Sequence, residues 1–273
     1  MQDNITASIV VYKNNPTYLS KAISSFLTGA PQGKLFIVDN SPDNSLRPLC
    51  LGNRIWYFFP GRNLGFGTAH NLAIRKAMEL NCSYHLVLNP DIFFEEYVLS
   101  GMLDFMNHHP AVGLAMPKVL YPDGRLQYLC RLLPSPLTLI ARRLGSRFKF
   151  FSYRSHLCEL RFSGYNRIMD VPFLSGCFMF LRVEALKKVG LFDERIFLYT
   201  EDIDLTRRIH RHFRTVFYPY ATIYHYHERA SYKNIHTFFH HIVSTMKYFN
   251  KWGWLYDPER KAINRVTLLK LAQ

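Results

Sequence analysis

Apolar residues fall in short blocks along the first half of the chain, and the blocks alternate between two periods. Residues 6–12 are a continuous β-branched run of the kind that makes a strand covered on both faces. Over 17–28, Leu19, Ile23, Phe26 and Leu27 recur at helical spacing and Gly29 supplies a stop. Residues 34–38 and 54–59 predict two more strands. A glycine-punctuated segment, Asn63–Leu64–Gly65–Phe66–Gly67, leads into a helix over about 68–80, and 84–88 predicts a fourth strand. A helix over 95–108 and a strand over 112–116 follow. Strands alternating with helices mean βαβ units, right-handed crossovers and a mostly parallel sheet. Ligands of such sheets sit at the carboxyl ends of the strands. Three successive strand ends carry polar residues there: Tyr12–Lys13, Asp39–Asn40 and Asn89–Pro90–Asp91.

The second half is less regular. Tyr121–Pro122–Asp123–Gly124 predicts a tight turn. Periodicity then breaks over 127–166, a basic and aromatic insertion that suits either an acceptor-side lid or membrane-surface patch, or a helical subdomain with a solvated basic face. Residues 171–183 predict a strand with Ser175–Gly176–Cys177 in its middle, followed by a short helix over 184–189. Thr200 is a good N-cap for a helix carrying Leu205, Ile209 and Phe213. Residues 214–219 and 221–226 read as two extended pieces. An amphipathic helix covers 234–252, and a short basic helix 261–273.

Charge and cysteine content narrow the partners. The 273 residues carry 34 Lys and Arg against 20 Asp and Glu, a formal charge of +14. That excess favours an anionic partner: a phosphate-bearing substrate, an anionic lipid surface or nucleic acid. Five widely spaced cysteines without a C-x-x-C pair argue against a zinc knuckle or disulfide frame and fit a reducing compartment. No basic region followed by a long apolar run opens the chain, so a secretion signal is not expected, and no stretch is long enough to span a bilayer.

Five constellations carry candidate chemistry. Asp39 can accept from the imide N–H of a pyrimidine base or simply cap its turn. Asn63, Gly65, Gly67 and Asn71 open a helix whose N-terminus favours phosphate, although the third glycine of the dinucleotide fingerprint is absent. Asp91, held by a rigid proline turn, suits a hard divalent cation bridging two phosphates. Glu201, Asp202 and Asp204 crowd one helix start. They complement its dipole, and Asp202, three residues before Leu205, leans inward as a general base would. His225 and His227 alternate onto one face near the candidate metal.

Taken in order, these motifs resemble the family 2 glycosyltransferases, in particular their rhamnosyltransferase-like branch. The residues carrying it are Ile9–Val10–Val11–Tyr12, Val38–Asp39–Asn40–Ser41, Asn63–Leu64–Gly65–Phe66–Gly67 with Asn71, Leu88–Asn89–Pro90–Asp91, Phe173–Leu174–Ser175–Gly176, Gly190–Leu191–Phe192–Asp193–Glu194 and Tyr199–Thr200–Glu201–Asp202–Ile203–Asp204. The resemblance implies an α/β fold of GT-A type, a Rossmann-like sheet flanked by helices with an acceptor-side insertion and C-terminal helices. It also implies a nucleotide-sugar donor, a divalent cation (Mn or Mg) and inversion at the anomeric carbon. Position by position, Tyr12, Asp39, Asn63, Gly65, Asn71 and Asn89 would bind the nucleotide sugar. Asp91 and His225 would hold the metal, with His227 the alternative imidazole, and Asp202 would deprotonate the acceptor. Ser175, Gly176, Glu201 and His227 would support the acceptor side. Asn89 stands where other branches carry Asp, which reduces the protein's share of charge at the metal.

The expected organisation is a catalytic domain over 1–230, with a nucleotide-binding half over 1–116 and an acceptor-binding half over 117–230, then a helical extension over 231–273. The expected activity is transfer of L-rhamnose from dTDP-rhamnose to a hydroxyl of a lipid-linked surface glycan, such as a lipopolysaccharide O-antigen. The setting would be cytoplasmic, peripheral on the inner face of the cell membrane. A transferase of UDP-hexose or UDP-galactofuranose is the nearest alternative. A basic nucleic-acid-binding protein would explain the charge but not the acids at Asp91 and Asp202, which repel phosphate without a metal; a non-catalytic sugar-binding protein is the remaining alternative.

Overall fold

A computed structural model describes residues 5–139, 149–227 and 235–272. Much of the basic run expected at the heart of the insertion, including Arg142, Arg143 and Arg147, lies outside the described residues, as does the expected boundary at 230.

The first half follows the alternation of periods closely. Strand β1 (Ile5–Val11) is followed by α1 (Pro16–Gly29), β2 (Lys34–Asp39), β3 (Ile55–Phe58), α2 (Phe66–Glu79), β4 (Tyr84–Leu88), β5 (Ile92–Phe93), α3 (Tyr97–His108) and β6 (Val112–Leu120). Helix α1 shows the local logic: the Asn15 side chain accepts from Thr17 N–H, Pro16 starts the first turn, and Leu19, Ala22, Ile23 and Phe26 bury one stripe. The second half contains β7 (Cys130–Arg131), α4 (Lys149–Cys158), β8 (Met169–Asp170), β9 (Phe173–Leu174), β10 (Phe178–Arg182), α5 (Val183–Val189), α6 (Glu201–His210), β11 (Arg214–His225), α7 (Ile235–Trp252) and α8 (Pro258–Leu271).

The main sheet runs β3-β2-β1-β4-β10-β6-β11-β5, with β8 also paired to β11. Strands β3, β2, β1 and β4 are parallel, as expected of the nucleotide half. Beyond them β10 enters antiparallel between β4 and β6, and β5 and β8 pair antiparallel with β11, so the sheet as a whole is mixed. Strands β1, β2 and β4 are buried along nearly their whole length, which explains why they read as unbroken apolar runs.

Three expectations are corrected. The strand expected over 171–183 is broken at Ser175–Gly176–Cys177: β9 pairs with β7 in a small separate sheet, whereas β10 joins the main one. The two pieces expected over 214–226 form one strand, β11, with a register shift between Tyr218 and Thr222 that accommodates Pro219. The last helix starts earlier than expected, at Pro258, because the Asp257 side chain caps it by accepting from Arg260 N–H. No helix among the described residues is long and apolar enough to cross a membrane.

Candidate active site

The carboxyl ends of β1, β2 and β4 face one side of the sheet, and a cavity of about 910 Å³ opens beyond β4. Asn89, Ser175, Gly176, Asp202 and His225 line it, with Glu201 and His227 also in its wall. Helix α7 closes the outer side with Phe238, Ile242 and Met246. A space of this size accommodates a nucleotide sugar or a drug-sized ligand.

Asp91 and His225 meet because of a two-residue ladder. Leu88 ends β4, Asn89–Pro90 turn the chain, and β5 pairs antiparallel with the end of β11, with Ile92 opposite His225. Tyr226 N–H donates to the Asp91 carbonyl at 3.1 Å, closing the ladder. His225 Nε2 consequently lies 3.3 Å from Asp91 Oδ1. Gln127 decides which imidazole nitrogen carries the hydrogen. Its amide nitrogen donates to the His225 and Leu120 carbonyls, so its Oε1 faces His225 Nδ1 at 3.0 Å and must accept from it. In the neutral ring Nε2 then presents a lone pair to the Asp91 carboxylate, and only a proton or a cation reconciles two acceptors facing one another. This carboxylate–imidazole pair, oriented by a second hydrogen bond, fits a divalent ion. No cluster of three His, Cys, Asp or Glu side chains poised to hold a metal occurs among the described residues, so the protein would offer two ligands. Burial pushes the Asp91 carboxyl up, but the His225 and His227 imidazoles outweigh it and leave the group below the ordinary carboxylate range.

Asp202 lines the same cavity as His225. It stands in the first turn of α6, where unpaired N–H groups favour an anion. Its Oδ2 accepts from Gly176 N–H at 2.9 Å and its Oδ1 from Ile203 N–H at 2.8 Å. The break between β9 and β10 therefore has a use: it turns the Gly176 amide out of the sheet and toward the carboxylate. Asn89 N–H donates to the Cys177 carbonyl at 2.9 Å, so the Asp91 turn and the Asp202 cradle share one joint. Both carboxylates act on the Cys177 thiol, which burial first and then these charges push up to about 12. Glu201, only 4% exposed, is held above the ordinary carboxyl range by burial and then by the Asp202 charge.

The turn before α6 is strained. Tyr199 and Thr200 both adopt left-handed backbone, at φ 68° and 66°, which costs about 1–3 kcal/mol for each such residue. Thr200, expected as a side-chain cap, makes no capping bond; its hydroxyl donates instead to the Ser244 carbonyl of α7.

Several expected nucleotide-binding residues lie off the wall of this cavity. Gly65 has φ 80°, and a Cβ there would collide with the Phe197 carbonyl; Phe66 N–H donates to that same carbonyl at 2.9 Å. A Cβ at Gly67 would come within 2.8 Å of Phe192 Cβ. The Asn63 side chain accepts from Gly65 N–H. Asn71 brackets the Phe192 peptide, donating to its carbonyl and accepting from its N–H. Asp39 is fully buried; its oxygens accept from Ser41 N–H at 2.9 Å and the Tyr57 hydroxyl at 2.6 Å. Tyr12, half exposed, ends the strand beside it, with Val11 and Asp39 in register. Residues not anticipated include Gln127, 98 positions from the histidine it orients, and Arg131, which lines the cavity with its guanidinium over Phe173. Neither has a local signal, since each acts through a pairing that only the folded chain creates.

Known proteins resemble this chain in sequence and in fold. The family described as Glycosyltransferase like family 2 matches residues 3–237. The N-acetylglucosaminyl-diphospho-decaprenol L-rhamnosyltransferase of Mycobacterium tuberculosis is 27% identical over 234 residues, covering 82% of this chain and 71% of the relative. The rhamnosyltransferase WbbL of Escherichia coli is 24% identical over 255 residues, covering 88% and 90%. The solved structure of GalNAc-T7 with UDP, GalNAc and Mn2+ superposes with a TM-score of 0.60 at 13% identity, over 81% of this chain. This chain spans 43% of the length of that protein, and the likeness establishes the GT-A fold.

Proposed function

The chain belongs to the family 2 glycosyltransferases, and on that premise we propose that it transfers L-rhamnose from dTDP-rhamnose to a hydroxyl of a lipid-linked glycan, with inversion. Asp202 is the general base. Its carboxylate takes the proton of the acceptor hydroxyl as that oxygen bonds to the anomeric carbon and the nucleoside diphosphate departs on the opposite face. A single displacement needs one base and no covalent nucleophile. Tyr12 and Asp39, at the ends of β1 and β2, contact the nucleotide. Asp91 and His225 are the residues that would hold a divalent cation, Mn or Mg, whose charge neutralises the leaving diphosphate. Asn89, Ser175 and Glu201 line the space between donor and acceptor.

The observation that carries this reading is the Asp202 carboxylate, held by two backbone N–H groups at the edge of a cavity that is also lined by His225, whose Nε2 lies 3.3 Å from Asp91. The names of the Mycobacterium tuberculosis and Escherichia coli relatives favour rhamnose, and the first favours a diphosphate-linked lipid acceptor. Such an acceptor places the protein on the inner face of the membrane. The net charge and the exposed Trp254, Leu255 and Tyr256 between α7 and α8 suit an anionic surface. Catalytic and helical parts divide near residue 230.

The test is transfer from dTDP-rhamnose, UDP-galactofuranose and UDP-hexoses, with and without Mn2+ or Mg2+, by wild type and Asp202→Asn. The variant should lose about 10²–10⁴-fold in kcat while still binding dTDP. A preference for a UDP-sugar replaces the donor but keeps the reaction; full activity in Asp202→Asn removes the reading.

A further inference from the structure

The helix carrying Asp202 is gripped along its length by residues beyond position 237, where the family match ends. At its start the Thr200 hydroxyl donates to the Ser244 carbonyl of α7 at 3.1 Å. One turn on, Asp204 is fully buried and its Oδ1 accepts from Trp252 Nε1 at 2.8 Å and Lys251 Nζ at 2.7 Å. In the second turn Arg207, 1% exposed, forks onto both Asp257 oxygens at 2.8 Å, reaches Glu259 at 2.6 Å and stacks 4.0 Å from the Trp252 ring centre. Between these polar ties Ile203 packs with Phe173, Tyr248 and Phe249 in a hydrophobic cluster separate from the main core.

Thr200, Asp204 and Arg207 are spaced by four and three residues and share one face of the helix. Asp202, two positions from both Thr200 and Asp204, projects from the other side, toward Gly176 and the cavity. The same α7 that grips the helix also lines the cavity through Ile242 and Met246.

We infer that α7 and α8 form a clamp that sets the position of the Asp202 carboxylate, with Thr200, Asp204 and Trp252 as positioning residues. The inference rests on the reading of Asp202 as the base. Proton transfer requires the carboxylate within hydrogen-bond reach of the acceptor hydroxyl, and displacements of an ångström are costly. Thr200, in strained left-handed backbone, provides no side-chain cap to hold the start of α6. The Thr200–Ser244 bond supplies that restraint from outside the family-matched region, and the Trp252–Asp204 bond fixes the rotation of the helix about its axis.

The test uses full-length protein and four variants: Trp252→Phe, which keeps the ring but removes the N–H; Thr200→Val, which removes the hydroxyl; Thr200→Ser, which restores it; and Asp202→Asn. Thermal unfolding and dTDP calorimetry establish that each is folded and binds nucleotide. Trp252→Phe and Thr200→Val should each lower kcat by roughly 5- to 30-fold, with the donor KM within about twofold, as expected for misplacing one catalytic group. Thr200→Ser should stay within about twofold of wild type. In the Asp202→Asn background, adding Trp252→Phe should change the residual rate by less than about twofold, because the two act through one carboxylate. An equal further loss in that background, or equal losses in Thr200→Ser and Thr200→Val, overturns the clamp. Should Trp252→Phe fail to fold, the Thr200 pair decides alone. Failure of the base assignment is read separately, from Asp202→Asn by itself.

Discussion

Gly176 offers a sharp perturbation of the base, because its backbone is not left-handed and alanine can adopt it without strain. A Cβ built there lies 3.0 Å from Asp202 Cβ and 3.4 Å from Oδ2, closer than the ordinary 3.5–4.0 Å between nonbonded atoms. Asp202 must retreat by a few tenths of an ångström, and the Gly176 N–H bond at 2.9 Å lengthens. A hydrogen bond to a charged group contributes about 1.5–3 kcal/mol, which corresponds to roughly a ten- to hundredfold loss in rate if it goes unmade during catalysis. Gly176→Ala should therefore lower kcat by that factor, leave the donor KM within about twofold, and shift Tm little. Released nucleotide, followed in steady state across donor concentrations, separates the two constants. Gly101 in α3 is the control: nothing lies within 4 Å of a Cβ there, so Gly101→Ala should keep full activity and gain about 0.5–1 kcal/mol of stability. A Gly176→Ala enzyme with kcat within twofold of wild type refutes the argument that this amide holds a working carboxylate.

Three further outcomes are expected. His225→Ala and Asp91→Asn should each weaken Mn2+ binding by at least about tenfold, and Gln127→Ala by about 10- to 100-fold through loss of ring orientation; calorimetry with Mn2+ and dTDP measures this, and unchanged affinity in all three variants rejects the pair as ligands. His85, buried in a network with Thr6 and Ser8, is held by desolvation at about 3 against an ordinary 6.5, and adjoining His70 is lowered in the same way. Because the folded value is depressed, unfolding takes up protons below pH 6.5, and stability falls as pH drops from 6.5 toward 3. At pH 5 the His85 share is about 2 kcal/mol, so urea midpoints should fall between pH 7 and 5, less steeply in His85→Asn; equal slopes would falsify the assignment. Vesicles containing anionic lipid should float the protein at low salt and release it at high salt; no flotation removes the membrane-surface proposal.

Much of the nucleotide half was legible because its elements bury complete faces. Residues 6–12 and 84–88 read as strands, whereas the helix starts capped by Asn15 and Asp257 fall one to three residues before the starts expected from periodicity. The second half was less legible because its breaks are set by pairing partners. Nothing between Phe173 and Arg182 announces that two residues join β7 and five join β4. Thr200 reads as a cap, yet its hydroxyl is claimed by a helix 44 positions away. Asn71 and the glycines at 65 and 67 read equally as phosphate chemistry or as packing, and the folded chain places all three against the Phe192–Phe197 loop.

Residue types and order alone were enough to indicate a family 2 glycosyltransferase, an α/β sheet with acids at its strand ends, and Asp91 and Asp202 as a candidate pair. Those conclusions depend on local periodicity and on motifs each contained within a few residues. Only the tertiary structure decided that β5 lies on β11, so that Asp91 meets His225, that the broken strand turns the Gly176 amide onto Asp202, and that α7 and α8 fasten the helix bearing it. Each depends on contacts between segments dozens to more than a hundred positions apart, whose energies exist only once the chain has closed.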